Sequence, residues 1–153
     1  MKLNMKVKVK YKKLKEGAIK PTRATDGSIG YDVHAIIEDN PFGVIIKPHE
    51  KELIGLGFAL EIPEGIGGFL FARSGLANKR GLRPSNCVGV IDNDYRGEVM
   101  VSLRNDTDQP MVVENGERIA QLVFLPYVLT DFDEDCDVSE TDRGTGGFGS
   151  TGV

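Results

Sequence analysis

The chain has 153 residues, enough for one domain to bury a core without disulfide or metal staples. Apolar residues at 40% and charged residues at 27% are ordinary globular values, which disfavours disordered and membrane classes; no run is long enough to span a bilayer. The net charge of −4 argues against a dedicated nucleic-acid binder, whose affinity comes largely from Lys and Arg neutralising phosphates.

The N-terminus, MKLNMKVKVKYKK, is basic but has no apolar stretch of the kind a secretory signal needs. From Lys6 to Tyr11 the residues alternate, with Lys6, Lys8 and Lys10 on one face and Val7, Val9 and Tyr11 on the other. That predicts a half-buried strand whose lysines face solvent and discourage edge-to-edge pairing. Short apolar or alternating runs follow at 44–46, 52–62, 68–71, 88–91, 98–104, 111–113 and 118–126, separated by Gly, Pro, Asn and Asp. Such spacing predicts an all-β sandwich or barrel. One short helix is expected around 75–80, with Ser74 as N-cap, Lys79 and Arg80 in its last turn and Gly81 just beyond.

At 131–142 the composition changes to DFDEDCDVSETD, an acidic linker that lacks the central glycine and ligand spacing of an EF-hand. The tail RGTGGFGSTGV has almost no apolar side chain besides Phe148, so it cannot pack a core and orders only on something it covers. The expected organisation is therefore a β-domain over 1–130, a linker over 131–142 and a Gly-rich arm over 143–153. Cys87 and Cys136 belong to no CxxC or Cys/His pattern, which suggests a reduced protein of the cytoplasm. Cys87 reads as a small buried side chain without a basic partner. His34 and His49 are isolated, and surface or hydrogen-bonded roles are expected for both.

Three segments carry chemistry. Residues 86–100, NCVGVIDNDYRGEVM, resemble a hairpin with Asp92 where the first strand enters the turn. Asp92 there is either a turn cap through an Asx bond or a carboxylate that holds a water as general base. In FARSGLANKRG, Arg73, Ser74 and Gly75 stand at the helix start, where free N–H groups, a guanidinium fork and a hydroxyl suit phosphate; an ordinary capped helix is the competing reading. The glycines of the tail, with Arg143, Phe148, Ser150 and Thr151 among them, can form a phosphate nest and stack one aromatic on a base, or simply be a flexible end.

Five motifs in order give the chain its resemblance to the trimeric dUTPase (deoxyuridine 5′-triphosphate nucleotidohydrolase) family. They are GSIGYDVHA at 27–35, ARSGLA at 72–77, GVIDNDYRGEV at 89–99, GERIAQLVF at 116–124 and RGTGGFGSTG at 143–152. The resemblance implies a jelly-roll-like β-barrel or sandwich and hydrolysis of dUTP to dUMP and pyrophosphate, which limits uracil incorporation into DNA and supplies dUMP for dTMP synthesis. It makes Asp92 the base that activates water against the α-phosphorus. Asn86 and the backbone around Gly89, Val90, Ile91 and Met100 would read the uracil edge, and Tyr95 would lie under the deoxyribose. Arg73, Ser74 and Gly75 would hold phosphates, and Gln121 would order water near them. Arg143, Gly146, Phe148, Gly149 and Ser150 would close over the substrate. Mg²⁺ would be held mainly by the triphosphate and waters, with Asp32 nearby and no direct protein ligand.

The implied assembly is a homotrimer with sites shared among all three subunits, and with neither nucleic acid nor membrane as partner. Two positions depart from the usual pattern: Ala72 where Pro is common, and Leu56 where Thr often stands. The alternatives are a deaminase of dCTP or a bifunctional enzyme on the same fold, and a dUTP-responsive regulatory protein. The intact third motif and tail favour the hydrolase.

Overall fold

The computed structural model describes residues 6–134 and 136–147. In chain order its elements are β1 (Lys10–Lys13), β2 (Tyr31–His34), β3 (Val44–Ile46), β4 (Lys51–Gly55), β5 (Phe58–Glu61), β6 (Ile66–Phe71), α1 (Ser74–Arg80), β7 (Leu82–Pro84), β8 (Val88–Ile91), β9 (Met100–Asn105), β10 (Met111–Val113) and β11 (Arg118–Pro126). The strands form a four-stranded sheet in the order β2-β11-β6-β8, a three-stranded sheet β4-β9-β7, and the pairs β1-β5 and β3-β10. All pairings are antiparallel.

Every sheet contributes to one continuous core. Val33, Leu70, Ile91 and Leu122 come from the large sheet, Ile54, Leu82 and Leu103 from the second, and Phe58, Ile46 and Val113 from the two pairs. Burying each such side chain contributes about 1.5–3 kcal/mol. The sheets do not close into a barrel, so the all-β expectation resolves as a sandwich with one short helix. Leu56, which stands where the family often has Thr, is fully buried in this core. Asn105 is also fully buried but satisfied. Its amide donates to the carbonyls of Ile46 (3.0 Å) and Gln109 (2.7 Å), and its Oδ1 accepts from the Thr107 N–H and hydroxyl.

Several local expectations shift. The first strand spans Lys10–Lys13 rather than 6–11, because Lys10 pairs with Glu61 and the ladder would next have to use Pro63, which has no N–H. The 52–62 run is two strands, divided by Gly57 at a φ of 73°. The run expected to begin at Glu98 starts at Met100, since the Glu98 carboxylate turns inward to accept the Gly57 N–H (2.9 Å) and pair with Lys15 (3.2 Å). β2 and β7 were not legible as strands; β7 contains Pro84, tolerated because it lies at a sheet edge. The helix begins one residue earlier than expected, so Arg73 and not Ser74 is the N-cap, and no side chain caps the first turn. Gly81 ends it in the left-handed region, as expected.

Both cysteines are free and exposed. Cys87 is thus not the buried side chain expected, and it does have a basic neighbour: Arg83 Nη1 donates to its sulfur at 3.3 Å. The bend that puts Cys87 at a φ of 63° turns its side chain outward. His49 is exposed and bonds Asp108 at 2.8 Å. Among the described residues, no helix is long and apolar enough to cross a membrane.

Candidate active site

The segment 86–100 keeps its strand–turn–strand order but is not a hydrogen-bonded hairpin. β8 pairs only with β6, while β9 pairs with β4 and β7, so the two strands diverge into different sheets. β7 meets β9 from Leu103 onward, and the Ser85 N–H adds one bond to the Ser102 carbonyl at 2.7 Å, which leaves the Met100–Val101 end with one unpaired edge toward β8. The outer edge of β8 is likewise unpaired among the described strands. Between them opens a cleft of about 320 Å³, walled by Asn86, Gly89, Val90, Ile91, Asp92, Tyr95 and Met100. Leu53, Glu98 and Ser102 also line it and had no role assigned from sequence. Two free strand edges facing a slot offer backbone N–H and C=O groups to a flat, hydrogen-bonding ring.

The turn orients two side chains. Tyr95 donates its hydroxyl to the Glu98 carbonyl at 3.0 Å, which lays the ring back over the loop. Gly97 makes that possible, because a Cβ there would stand 2.3 Å from the Tyr95 oxygen. Asp92 closes the turn through its backbone carbonyl, which accepts from the Tyr95 N–H at 3.2 Å. Its carboxylate is exposed and, among the described residues, makes no hydrogen bond or ion pair. The Asx-cap alternative therefore has no bond to support it.

A second polar group lies on the large sheet. Asp32 (β2) stands beside Gln121 (β11), which stands beside Phe71 (β6). Gln121 donates to the Ala72 carbonyl at 2.9 Å, and Gly30 makes room for it, since a Cβ on Gly30 would meet Gln121 Oε1 at 2.2 Å. Arg73 Nε donates to Asp32 Oδ1 at 2.7 Å, and Arg118 Nη1 donates to Asp32 Oδ2 at 3.2 Å. Ser74 and Gly75 follow at the uncapped helix start. His34 lies beside this group; burial pushes its imidazole below the usual value, Asp32 opposes, and Arg118 and Arg73 push the same way as burial.

The two groups are not together in one chain. Phe71 pairs with Val88 and Gly68 with Ile91, so Asp92 and Arg73 leave opposite ends of this ladder; continuing each chain at about 3.3 Å per residue puts them on the order of 20 Å apart. No arginine side chain bridges that gap to act on one phosphate. Of the arm, Arg143 is exposed and turns back on itself, with Nε donating to the Gly146 carbonyl at 2.7 Å. Phe148, Gly149 and Ser150 lie outside the described residues. Among the described residues, no three His, Cys, Asp or Glu side chains gather to hold a metal ion.

Comparison with known proteins gives this geometry a family. A sequence-family model described as dUTPase matches residues 16–152. The deoxyuridine 5′-triphosphate nucleotidohydrolase of Desulfitobacterium hafniense is 46% identical over 151 residues, covering 98% of each chain. A mutant Staphylococcus bacteriophage 80alpha dUTPase, solved with dUpNHpp, superposes with a TM-score of 0.80 at 29% identity, over 95% of this chain and 99% of that one. A mutant dUTPase from phage phi11 of S. aureus, at 23% identity and a TM-score of 0.71, shares the fold over 89% of this chain and 99% of its own; its structure describes coordination of a structural Mg(II) ion.

Proposed function

The chain belongs to the dUTPase family and hydrolyses dUTP to dUMP, and from that premise we propose how its residues divide the work. Asp92 is the general base: it takes a proton from a water that attacks the α-phosphorus, and pyrophosphate leaves. The uracil ring occupies the slot between β8 and β9, read by the strand edges around Gly89, Val90, Ile91 and Met100 and by Asn86. The same slot excludes the thymine methyl. Tyr95, anchored on Glu98, lies under the sugar and excludes a ribose 2′-hydroxyl.

Arg73, Ser74 and Gly75 bind the phosphates, and Gln121 orders water beside them. Arg73 uses only Nε on Asp32, so both its terminal nitrogens remain for phosphate oxygens. A Mg²⁺ ion would enter with the triphosphate and, as a hard cation, would temper the charge of the phosphates beside Arg73. Both Asp32 oxygens already accept from arginines, so Asp32 reaches that ion at most through water.

The roughly 20 Å between Asp92 and Arg73 in one chain supports a homotrimer in which different subunits supply them. Exposed apolar side chains after β11, at Val128 (85%), Leu129 (82%) and Phe132 (89%), suit a segment that packs on a neighbour. The arm of the third subunit then closes over the site, with Arg143 and Gly146 on phosphate, Phe148 over uracil, and Gly149 and Ser150 beside them. The observation that carries this reading is the unpartnered Asp92 carboxylate on the wall of a slot made from two strand edges. The test is pyrophosphate release from dUTP, dCTP, dTTP and UTP, each with and without Mg²⁺. Release from dUTP alone is expected, and ammonia or pyrophosphate from dCTP would refute it.

A further inference from the structure

We infer that Arg118 is a positioning residue for the reaction, holding Asp32 so that Arg73 keeps its guanidinium fork free for the triphosphate. This rests on the reading of Arg73 above. β11 contains a bulge against β2: Arg118 pairs with His34 and Ala120 with Val33, so Ile119 is the extra residue. Ile119 and Ala120 consequently both point into the core at 0% exposure. In a regular strand Arg118 and Gln121 would lie on opposite faces. The bulge re-aims Arg118 onto the face of Gln121 and Asp32, a use of bulges common beside active sites.

The hydrogen-bond arithmetic then becomes specific. Asp32 has two oxygens, and each is taken by a different arginine: Oδ1 by Arg73 Nε at 2.7 Å and Oδ2 by Arg118 Nη1 at 3.2 Å. Its side chain is 16% exposed, so water competes poorly for either oxygen. Were Arg118 absent, Oδ2 would be open to an Arg73 terminal nitrogen. Arginine and carboxylate favour that two-bond, fork-to-fork pairing. The pairing would turn one of the nitrogens meant for phosphate back onto Asp32. Arg118 opposes it by holding the carboxylate turned so that Oδ2 faces its own guanidinium and not the Arg73 fork, and its own half-exposed position leaves its charge near the phosphates without being needed on them.

The experiment is a double-mutant cycle on the full-length protein, read as kcat/KM for dUTP. Arg118→Met should lower kcat/KM on the order of tenfold to a hundredfold, the scale for a misplaced phosphate ligand. The loss should appear largely as a higher KM for dUTP, while binding of deoxyuridine, which has no phosphates, stays at the parent value. Asp32→Asn alone should also lower kcat/KM, and adding Arg118→Met to it should cost little more, because the route from Arg118 to Arg73 is already cut. Arg118→Lys, a side chain long enough to keep one N–H donor toward Oδ2, should retain most of the parent value and serves if Arg118→Met folds poorly.

Losses that add across the cycle would overturn the inference. Additive losses would mean that the charge of Arg118 acts on phosphate directly, and Arg118→Met at the parent kcat/KM would equally overturn the inference. The parent protein's turnover of dUTP and the inactivity of Asp92→Asn test the underlying reading separately.

Discussion

Replacing Asp92 separates its two sequence-level meanings. If the carboxylate were a turn cap, Asp92→Ala would cost about 1 kcal/mol for the lost hydrogen bond. The structure gives it no such bond and closes the turn through the backbone, with Tyr95 N–H on Asp92 O at 3.2 Å. Both Asp92→Ala and Asp92→Asn should therefore change unfolding free energy by less than about 0.5 kcal/mol, the range of exposed sites without partners. The chemical effect should be of another size. Losing a general base typically costs on the order of 10²–10⁴ in rate, or about 2.7–5.5 kcal/mol of barrier. Because Asn keeps the shape and a hydrogen bond to water, dUTP affinity should stay near the parent value. The assays are urea unfolding, calorimetric binding of dUTP and steady-state pyrophosphate release. An Asp92→Asn protein that turns over dUTP at the parent rate, or an Asp92→Ala protein destabilised by a full kilocalorie, would refute the reasoning.

Four further outcomes follow from the same geometry. Asp92→Asn and Arg73→Ala proteins, each inactive alone, should regain activity when unfolded together and refolded at equal amounts. Sites drawing the two residues from different subunits are then intact about one time in four, whereas a within-chain site would never recover. Gly97→Ala should push the Tyr95 ring off its seat, because the new Cβ meets the Tyr95 oxygen at 2.3 Å; KM for dUTP should rise with little change in the melting temperature. Asn105→Leu should destabilise the fold by about 3–4 kcal/mol in urea unfolding, since four hydrogen bonds are lost inside the core. Removing residues after Asp142 should leave a folded trimer by light scattering with severely reduced turnover, and an unfolded product would show the arm to be structural.

The unpartnered Asp92 was half legible from the chain and half not. Local sequence carries what depends on near neighbours: the short alternating runs and Gly/Pro punctuation predicted an all-β fold, Gly81 marked the end of α1, and GVIDNDYRGEV put an aspartate at the mouth of a turn. Strands β3, β8, β10 and β11 were readable to the residue, since each is a compact apolar run with clear ends. What could not be read depends on partners far along the chain. Strand β1 stops where Pro63 stops its partner, and β8 and β9 look like a hairpin until the tertiary fold gives each a different sheet. The slot exists only because that pairing is refused.

Arg118 lay inside a quoted motif without a role, because a bulge leaves no mark on the 3.6- or 2-residue periodicities from which faces are inferred. Cys87 likewise looked core-bound until the bend before β8 turned it out toward Arg83. The sequence by itself determined the kinds of residue available: a carboxylate, a phosphate-suited helix start and an arm with nothing of its own to bury. Which of them meet, and that Asp92 and Arg73 do not meet within one chain, was decided by strand register, a non-local quantity that only the folded structure contains.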